Sequence, residues 1–148
     1  MIEINNLTTN PVDGDFLKKV VSIVLEGEKI VKEVELSIAL IGPGRMRKIN
    51  RRYRGKNRVT DVLAFPESKI LLEKFKVGVA KKVQGLGEIV ICLREVKKNA
   101  KRFNSSSEKE LARVLIHGML HLLGYEHEEA KEAKKIKEKE DFYLSKIL

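Results

Sequence analysis

One eleven-residue stretch near the carboxyl end, HGMLHLLGYEH at residues 117–127, constrains the fold more than any other part of the chain. It contains all three histidines of the protein. An apolar repeat of helical period precedes it, so His117 and His121 are predicted to lie one turn apart on one face of a helix. Gly124 then predicts a left-handed turn that ends this helix. The fold must therefore bring a helix face and the following loop, with His127, to one place.

The spacing of the histidines predicts a metal site with His117, His121 and His127 as ligands. Two imidazoles one helical turn apart can reach the same ion. Three protein ligands leave the fourth position of a tetrahedral zinc ion open, which is typical of catalytic zinc sites. The alternative is three unrelated histidines, but a chain without any other histidine makes chance clustering a weaker explanation. We expect one divalent metal ion, zinc in the first place, although imidazole also suits nickel and copper.

The same spacing argues against a zinc peptidase. H-x-x-x-H-x-x-G-x-x-H is the metzincin pattern, but Gly118 stands where those proteases carry their catalytic glutamate. All three methionines precede His127, so no methionine is available for the turn that follows the third histidine in metzincins. Zinc deaminases fit poorly because the chain has a single cysteine. The site is predicted to polarise a water or a phosphate oxygen without hydrolysing peptides.

A strongly basic segment, residues 45–58 (RMRKINRRYRGKNR), predicts contact with nucleic acid. It contains no acidic residue. Arginine binds phosphate in a bidentate manner, and Tyr53 can stack on an exposed base. The alternative is a solvated cationic helix face. A net charge of +9 suits a polyanionic partner, although a Lys/Glu-rich surface of the hyperthermophile kind would give it too. The predicted RNA-binding residues are Arg45, Arg47, Lys48, Arg51, Arg52, Arg54, Lys56 and Arg58.

Hydrophobic periodicity predicts an α+β fold in one domain, residues 1–148, with a small mixed sheet of three or four strands and about five helices. Strands are expected at residues 2–7, 33–41, 59–65 and 86–93, and helices at residues 13–28, 45–53, 94–103, 107–123 and 128–146. A capping box of Ser107 and Glu110 is predicted to begin the histidine-bearing helix. Residues 67–85 are compatible with a loop or an edge hairpin.

The sequence predicts a cytoplasmic protein. The longest uncharged apolar run, residues 36–44, is too short to cross a membrane. The first residues contain neither a basic nor an apolar segment of the kind that secretory signals carry. A single cysteine excludes an intrachain disulfide. No membrane partner is expected, and the oligomeric state is not readable from the sequence.

The histidine stretch closely resembles the motif of the YbeY-type rRNA maturation factors, approximately H-G-x-L-H-L-x-G-Y-D-H. Two further stretches agree in order and spacing: NRRYRGKNRVTDVLAFP at residues 50–66 and LGEIVICL at residues 86–93. These factors are bacterial metal-dependent single-strand endoribonucleases. The resemblance implies a role in 16S rRNA 3′-end maturation and ribosome quality control, with ribosomal RNA and the small ribosomal subunit as partners. It implies that His117, His121 and His127 bind the metal, and that Arg54 is essential for activity beside it.

The resemblance leaves the proton acceptor of the reaction open. Arg54 is expected to stabilise the charge that develops on the phosphate. Glu126, where the family usually has aspartate, is a catalytic candidate, but it could equally orient a ligand. Asp61, Glu88 and a hydroxide held by the metal are the other candidates for the base. Two rival functions remain: a non-enzymatic RNA-binding assembly factor with a structural metal, and a metal hydrolase of other substrates.

Overall fold

A computed structural model describes residues 1–67, 83–126 and 128–147 of the chain. These residues form four strands and five helices, which confirms the predicted α+β class. In chain order the elements are β1 (Ile2–Asn6), α1 (Gly14–Gly27), β2 (Glu33–Ile41), α2 (Pro43–Arg54), β3 (Val62–Pro66), β4 (Val83–Cys92), α3 (Leu93–Arg102), α4 (Ser107–Leu122) and α5 (Ala130–Ile147). Within the described part of the chain, no helix combines the length and apolar character needed to cross a membrane.

The sheet is mixed, with strand order β1-β2-β4-β3. Strands β1, β2 and β4 are parallel, whereas β3 runs antiparallel to β4. Glu35 of β2 pairs with Gly85 of β4, but the next residue, Leu36, pairs with Gly87, so the register shifts by one residue. Gly87 has φ +127°. A side chain at Gly87 would place its Cβ 2.2 Å from the carbonyl oxygen of Phe65. Glycine therefore allows β3 and β4 to approach each other at this irregularity.

Side chains alternate between the two faces of the sheet, and each face has its own apolar core. Along β4, Ile89 and Ile91 pack with helices α1, α3, α4 and α5. Val90 and Cys92 point to the opposite face and pack with Met46 of α2. Cys92 is buried, so it belongs to the core. Consequently α4, with its histidines, lies on one face of the sheet, while α2 lies on the other.

The amino-terminal end of α4 differs from the prediction by one residue. Ser106 is the N-cap, and its hydroxyl accepts a hydrogen bond of 3.1 Å from the backbone N–H of Lys109. The predicted capping box of Ser107 and Glu110 is therefore wrong. Three consecutive serines, residues 105–107, are all competent caps, so the local sequence does not distinguish among them. Glu110 turns inward instead and is only 5% exposed.

The carboxyl-terminal end of α4 confirms the prediction. Gly124 has φ +102°, and its N–H donates to the carbonyl of His121 over 3.1 Å. The N–H of Tyr125 donates to the carbonyl of Leu120 over 3.0 Å. This pair of bonds is a Schellman motif, which reverses the chain after the histidine helix.

Other boundaries differ by a few residues. β3 begins at Val62 rather than at residue 59, and α5 begins at Ala130 rather than at residue 128. β4 begins at Val83, so the end of the ambiguous segment is strand. The rest of that segment, residues 68–82, lies outside the described residues.

Candidate functional site

A cavity of about 600 Å³ opens between the end of α2, the loop after it, β3 and α4. Acidic, basic and imidazole groups line it together. The charged residues and histidines on its wall are Arg54, Lys56, Arg58, Asp61, Glu110, Arg113, His117, His121, Glu126 and Glu140. Such a concentration of ionisable groups in a concave site is typical of a catalytic centre.

His117 and His121 meet on the cavity wall, as their spacing predicts. Their Nε2 atoms lie 3.1 Å apart, and their ring centroids are 4.6 Å apart. Zinc–nitrogen bonds of about 2.0–2.1 Å at a tetrahedral angle place two ligand nitrogens roughly 3.3 Å apart. The two imidazoles therefore fit a shared zinc ion with little adjustment.

Glu140 of α5 holds the other side of the His117 ring. Its Oε1 accepts a hydrogen bond from Nδ1 of His117, and the glutamate is only 6% exposed. Because a carboxylate oxygen can only accept, the hydrogen of the neutral ring lies on Nδ1, which leaves Nε2 as the nitrogen that can bind a metal. Zinc-ligating histidines commonly have such a carboxylate partner, which fixes the ring and its tautomer. Sequence reasoning did not find Glu140, because nothing local distinguishes it from Glu132 and Glu138 of the same helix.

The third predicted ligand, His127, lies outside the described residues. Among residues 1–67, 83–126 and 128–147, no group of three His, Cys, Asp or Glu side chains is placed to hold a metal ion. Glu126, immediately before His127, is exposed and lines the cavity.

Gly118 packs directly against the sheet, at Ile89 of β4. A Cβ atom at Gly118 would lie 3.1 Å from Cγ2 of Ile89, a fully buried residue of β4. A glutamate at this position would have to displace Ile89 or the helix itself. Close packing thus explains why the peptidase glutamate is absent.

Arg54 is the last residue of α2 and lies on the cavity wall. Its Nη2 donates to the carbonyl of Ala64 in β3 over 2.7 Å. The guanidinium carbon is 5.4 Å from the ring centroid of Phe65. One N–H is thus engaged by β3, while the remaining donors of the guanidinium are available to an anion.

The other predicted RNA-binding residues divide into two groups. Lys56 and Arg58 line the cavity with Arg54. The remaining five are exposed on α2 and do not line the cavity: Arg45, Arg47, Lys48, Arg51 and Arg52. Tyr53 is exposed as well, and its ring packs edge-on against Phe65 at 5.5 Å.

The candidate proton acceptors lie in two different cavities. Asp61 is half-buried on the cavity wall, and its Oδ2 lies 3.4 Å from the amide nitrogen of Asn99. Glu88 is not there: it lines a second cavity, together with Glu35 and Glu67. Side chains alternate along β4, so Glu88 points to the same face of the sheet as Val90 and away from the face of Ile89. Asp61 and Glu126 are therefore the predicted acidic candidates that reach the histidines' cavity.

Glu110 is a cavity residue that the prediction assigned to a cap. Burial raises the pKa of its carboxyl, and the charges of Asp61 and Glu140 raise it further against the opposing effect of Arg113. Arg113 Nε lies 3.7 Å from its Oε2. The sequence contained a usable signal, because Glu110 stands seven residues before His117, two helical turns along the same face.

The sequence matches the family model described as endoribonuclease YbeY over residues 3–148. A protein named endoribonuclease YbeY from Caldanaerobacter subterraneus subsp. tengcongensis is 37% identical over 132 residues, which cover 87% of this chain and 84% of that protein. A protein of the same name from Thermotoga maritima is 38% identical over 125 residues, 81% of this chain and 75% of that one. A solution structure of a Thermotoga maritima protein superposes with a TM-score of 0.64 at 33% identity, covering 99% of this chain and 89% of that one.

Proposed function

Because this chain belongs to the endoribonuclease YbeY family and is a nuclease of the hydrolase class, we propose that it cuts single-stranded RNA in the cavity beside α4. The cut requires one divalent metal ion, zinc, bound by His117, His121 and His127. The observation that carries this proposal is the pair of Nε2 atoms 3.1 Å apart on the cavity wall that Arg54 shares.

We also propose the biological setting that the family resemblance implies. The substrate is the 3′ end of precursor 16S ribosomal RNA, and the protein takes part in ribosome quality control in the cytoplasm. Its partners are ribosomal RNA and the small ribosomal subunit. A net charge of +9 and the basic surface of α2 support a polyanionic partner of this kind.

The side chains on the cavity wall have separate tasks in the reaction. A bound zinc ion supplies Lewis-acid charge at the scissile phosphate. Glu140 holds the ring of His117 in the tautomer that binds metal. Arg54, anchored to the carbonyl of Ala64, uses its remaining donors to stabilise the charge that develops on the phosphate. Asp61 or Glu126 accepts the proton of the attacking water.

The exposed basic residues of α2 hold the RNA outside the cavity. Arginine and lysine there contact phosphates without reading bases, so they supply affinity rather than the chemical step. A substitution that removes one phosphate contact to single-stranded RNA should make the slope of log K against log salt shallower by about 0.7. Affinity for RNA should therefore fall steeply as salt rises.

The test is cleavage of a structured rRNA precursor with single-stranded ends by purified protein at low salt, with and without a chelator. We expect the chelator to stop cleavage and added zinc to restore it. His121→Ala should lose metal and cleavage together, whereas Arg54→Ala should lose cleavage and keep the metal. Arg52→Ala is the matched control: Arg52 is exposed on α2 but is not on the cavity wall, so its loss should weaken RNA binding without slowing cleavage of bound RNA.

Two outcomes would redirect the proposal. RNA binding without cleavage, with metal bound, would favour a non-enzymatic assembly factor whose metal is structural. Cleavage by Arg54→Ala at the rate of the unsubstituted protein would remove the arginine from the chemical step.

A further inference from the structure

Glu28, directly after α1, is a buried carboxylate outside the cavity that gathers three hydrogen-bond donors from distant parts of the chain. Its side chain is only 8% exposed. Oε1 accepts from the hydroxyl of Tyr125 over 2.6 Å. Oε2 accepts from the ammonium of Lys139 over 2.8 Å and from the hydroxyl of Tyr143. The carboxylate thus joins the end of α1 to the loop after α4 and to α5.

The charge state of this cluster suits its role as an anchor. Burial by itself would raise the pKa of Glu28, but the hydrogen bonds from Lys139, Tyr125 and Tyr143 outweigh it and lower the pKa below the ordinary value. The hydrogen bond to Glu28 raises the pKa of Lys139. Both groups are therefore ionised near neutral pH. Charge-assisted hydrogen bonds of this kind are among the strongest that side chains form.

Two donors of the cluster are direct neighbours of cavity residues. Tyr125 precedes Glu126, and its backbone N–H belongs to the turn that ends α4. Lys139 precedes Glu140, whose carboxylate holds Nδ1 of His117. A shift of either donor would move its neighbour, since adjacent residues share one peptide plane. Glu28 is thus hydrogen-bonded to two residues that each adjoin a carboxylate of the cavity wall.

Packing around the cluster leaves little freedom for these groups. A Cβ atom at Gly27 would lie 2.3 Å from Cε1 of Tyr143, so glycine makes room for that ring beside Glu28. Tyr143 itself is 2% exposed. The ammonium of Lys139 also lies 5.2 Å from the centroid of the Tyr125 ring, which is within the range of a cation–π contact.

We propose that Glu28 is a positioning residue of the metal site, acting through Tyr125 and Lys139 on the loop that carries Glu126 and on the turn of α5 that carries Glu140. The inference rests on the proposed function to the extent that His117 and His121 bind the metal. Glu28 touches neither ligand. Its effect is to hold their supports in the geometry that binding needs.

The experiment measures zinc affinity directly, by competition with a chromogenic chelator, so that it does not depend on RNA cleavage. Glu28→Gln keeps the size of the side chain but removes the charge that Lys139 binds. We expect zinc affinity to fall about tenfold, at the lower end of the range for partners of metal ligands. Tyr125→Phe removes only the hydroxyl that donates to Glu28, and should also weaken zinc binding. Melting of both variants is measured in chelator as well.

A matched control separates positioning from general stability. Asp13→Ala removes the N-cap of the same helix at its opposite end, where Oδ1 accepts from the N–H of Phe16 over 3.1 Å. This loss costs about 1 kcal/mol and should lower the metal-free melting temperature. A role in stability alone would make Asp13→Ala and Glu28→Gln alike, whereas positioning predicts that only Glu28→Gln weakens zinc binding.

Each result has a defined meaning. Glu28→Gln and Tyr125→Phe with unchanged zinc affinity would overturn the inference and leave the proposed nuclease function standing. If Glu28→Gln does not fold, Tyr125→Phe decides alone. An unsubstituted protein that binds no zinc would overturn both proposals. Zinc affinity that depends on Glu28, in a protein that cuts no RNA, would support the inference and overturn the proposed function.

Discussion

The contact between α4 and the sheet at Gly118 predicts that this glycine cannot accept even one methyl group without cost. Replacement by alanine adds a Cβ atom 3.1 Å from Cγ2 and 3.3 Å from Cδ1 of Ile89. Ile89 is fully buried, so it has little space to withdraw. Overpacking of a dense core costs about 1–3 kcal/mol.

An opposing effect must be subtracted, because Gly118 lies inside α4 and alanine favours a helix by about 1 kcal/mol over glycine. The net expectation for Gly118→Ala is a loss of about 1 kcal/mol. For a chain of this size that lowers the melting temperature by about 3 °C. In the background of Ile89→Ala the clash disappears, so the same substitution should stabilise the protein by about 1 kcal/mol.

A double-mutant cycle measures the difference by urea unfolding in the presence of a chelator. The expected coupling between the two positions is about 2 kcal/mol, well above the roughly 0.3–0.5 kcal/mol found for independent sites. Metal is removed so that zinc binding does not contribute to the measured stability. If Gly118→Ala stabilised both backgrounds equally, close packing would not be the reason for this glycine.

Further substitutions test the carboxylates and the cap. Glu140→Gln should weaken zinc binding about 10–100-fold by chelator competition, because an amide is a poorer acceptor than a carboxylate for Nδ1 of His117. Glu110→Gln should raise stability at pH 7 in urea unfolding without metal. The pKa of Glu110 is raised in the folded protein. The stability that this carboxyl contributes is therefore present below its ordinary pKa of 4.5 and is lost as pH rises through the folded value. The gain in stability from glutamine should accordingly vanish in acid. Ser106→Ala should cost about 1 kcal/mol in thermal unfolding, while Ser107→Ala stays within about 0.5 kcal/mol; the reverse order would restore the predicted cap.

Local patterns predicted the parts of this fold that depend on neighbours in sequence. The apolar spacing of α1 and the alternation of β2 fixed the bounds of those elements to within about one residue. The Schellman turn at Gly124 followed from a glycine after a helical repeat. The N-cap of α4 was misplaced by one residue because adjacent serines have equal capping ability, so the local sequence could not distinguish Ser106 from Ser107.

The residues of the candidate site also divide into those that could be predicted from neighbours in sequence and those that could not. His117 and His121 could be paired from sequence because four residues on a helix make one turn. Glu110 could have been added from the same spacing, had the capping pattern not offered a simpler explanation. Glu140 could not, since α5 contains three glutamates and only the packing of α5 on α4 selects one of them.

The division between local and distant residues also bears on how this site differs from that of a zinc peptidase. In the metzincin pattern the helix supplies both the ligands and the catalytic glutamate. Here Gly118 stands at the position of that glutamate and packs on Ile89. The carboxylates of the cavity come from other elements: Asp61 before β3, Glu126 after α4 and Glu140 on α5. The carboxylates of the cavity therefore depend on the packing of other elements against α4. A shared anchor such as Glu28, which ties two of these elements together, is then what keeps the distant carboxylates in register with the histidines.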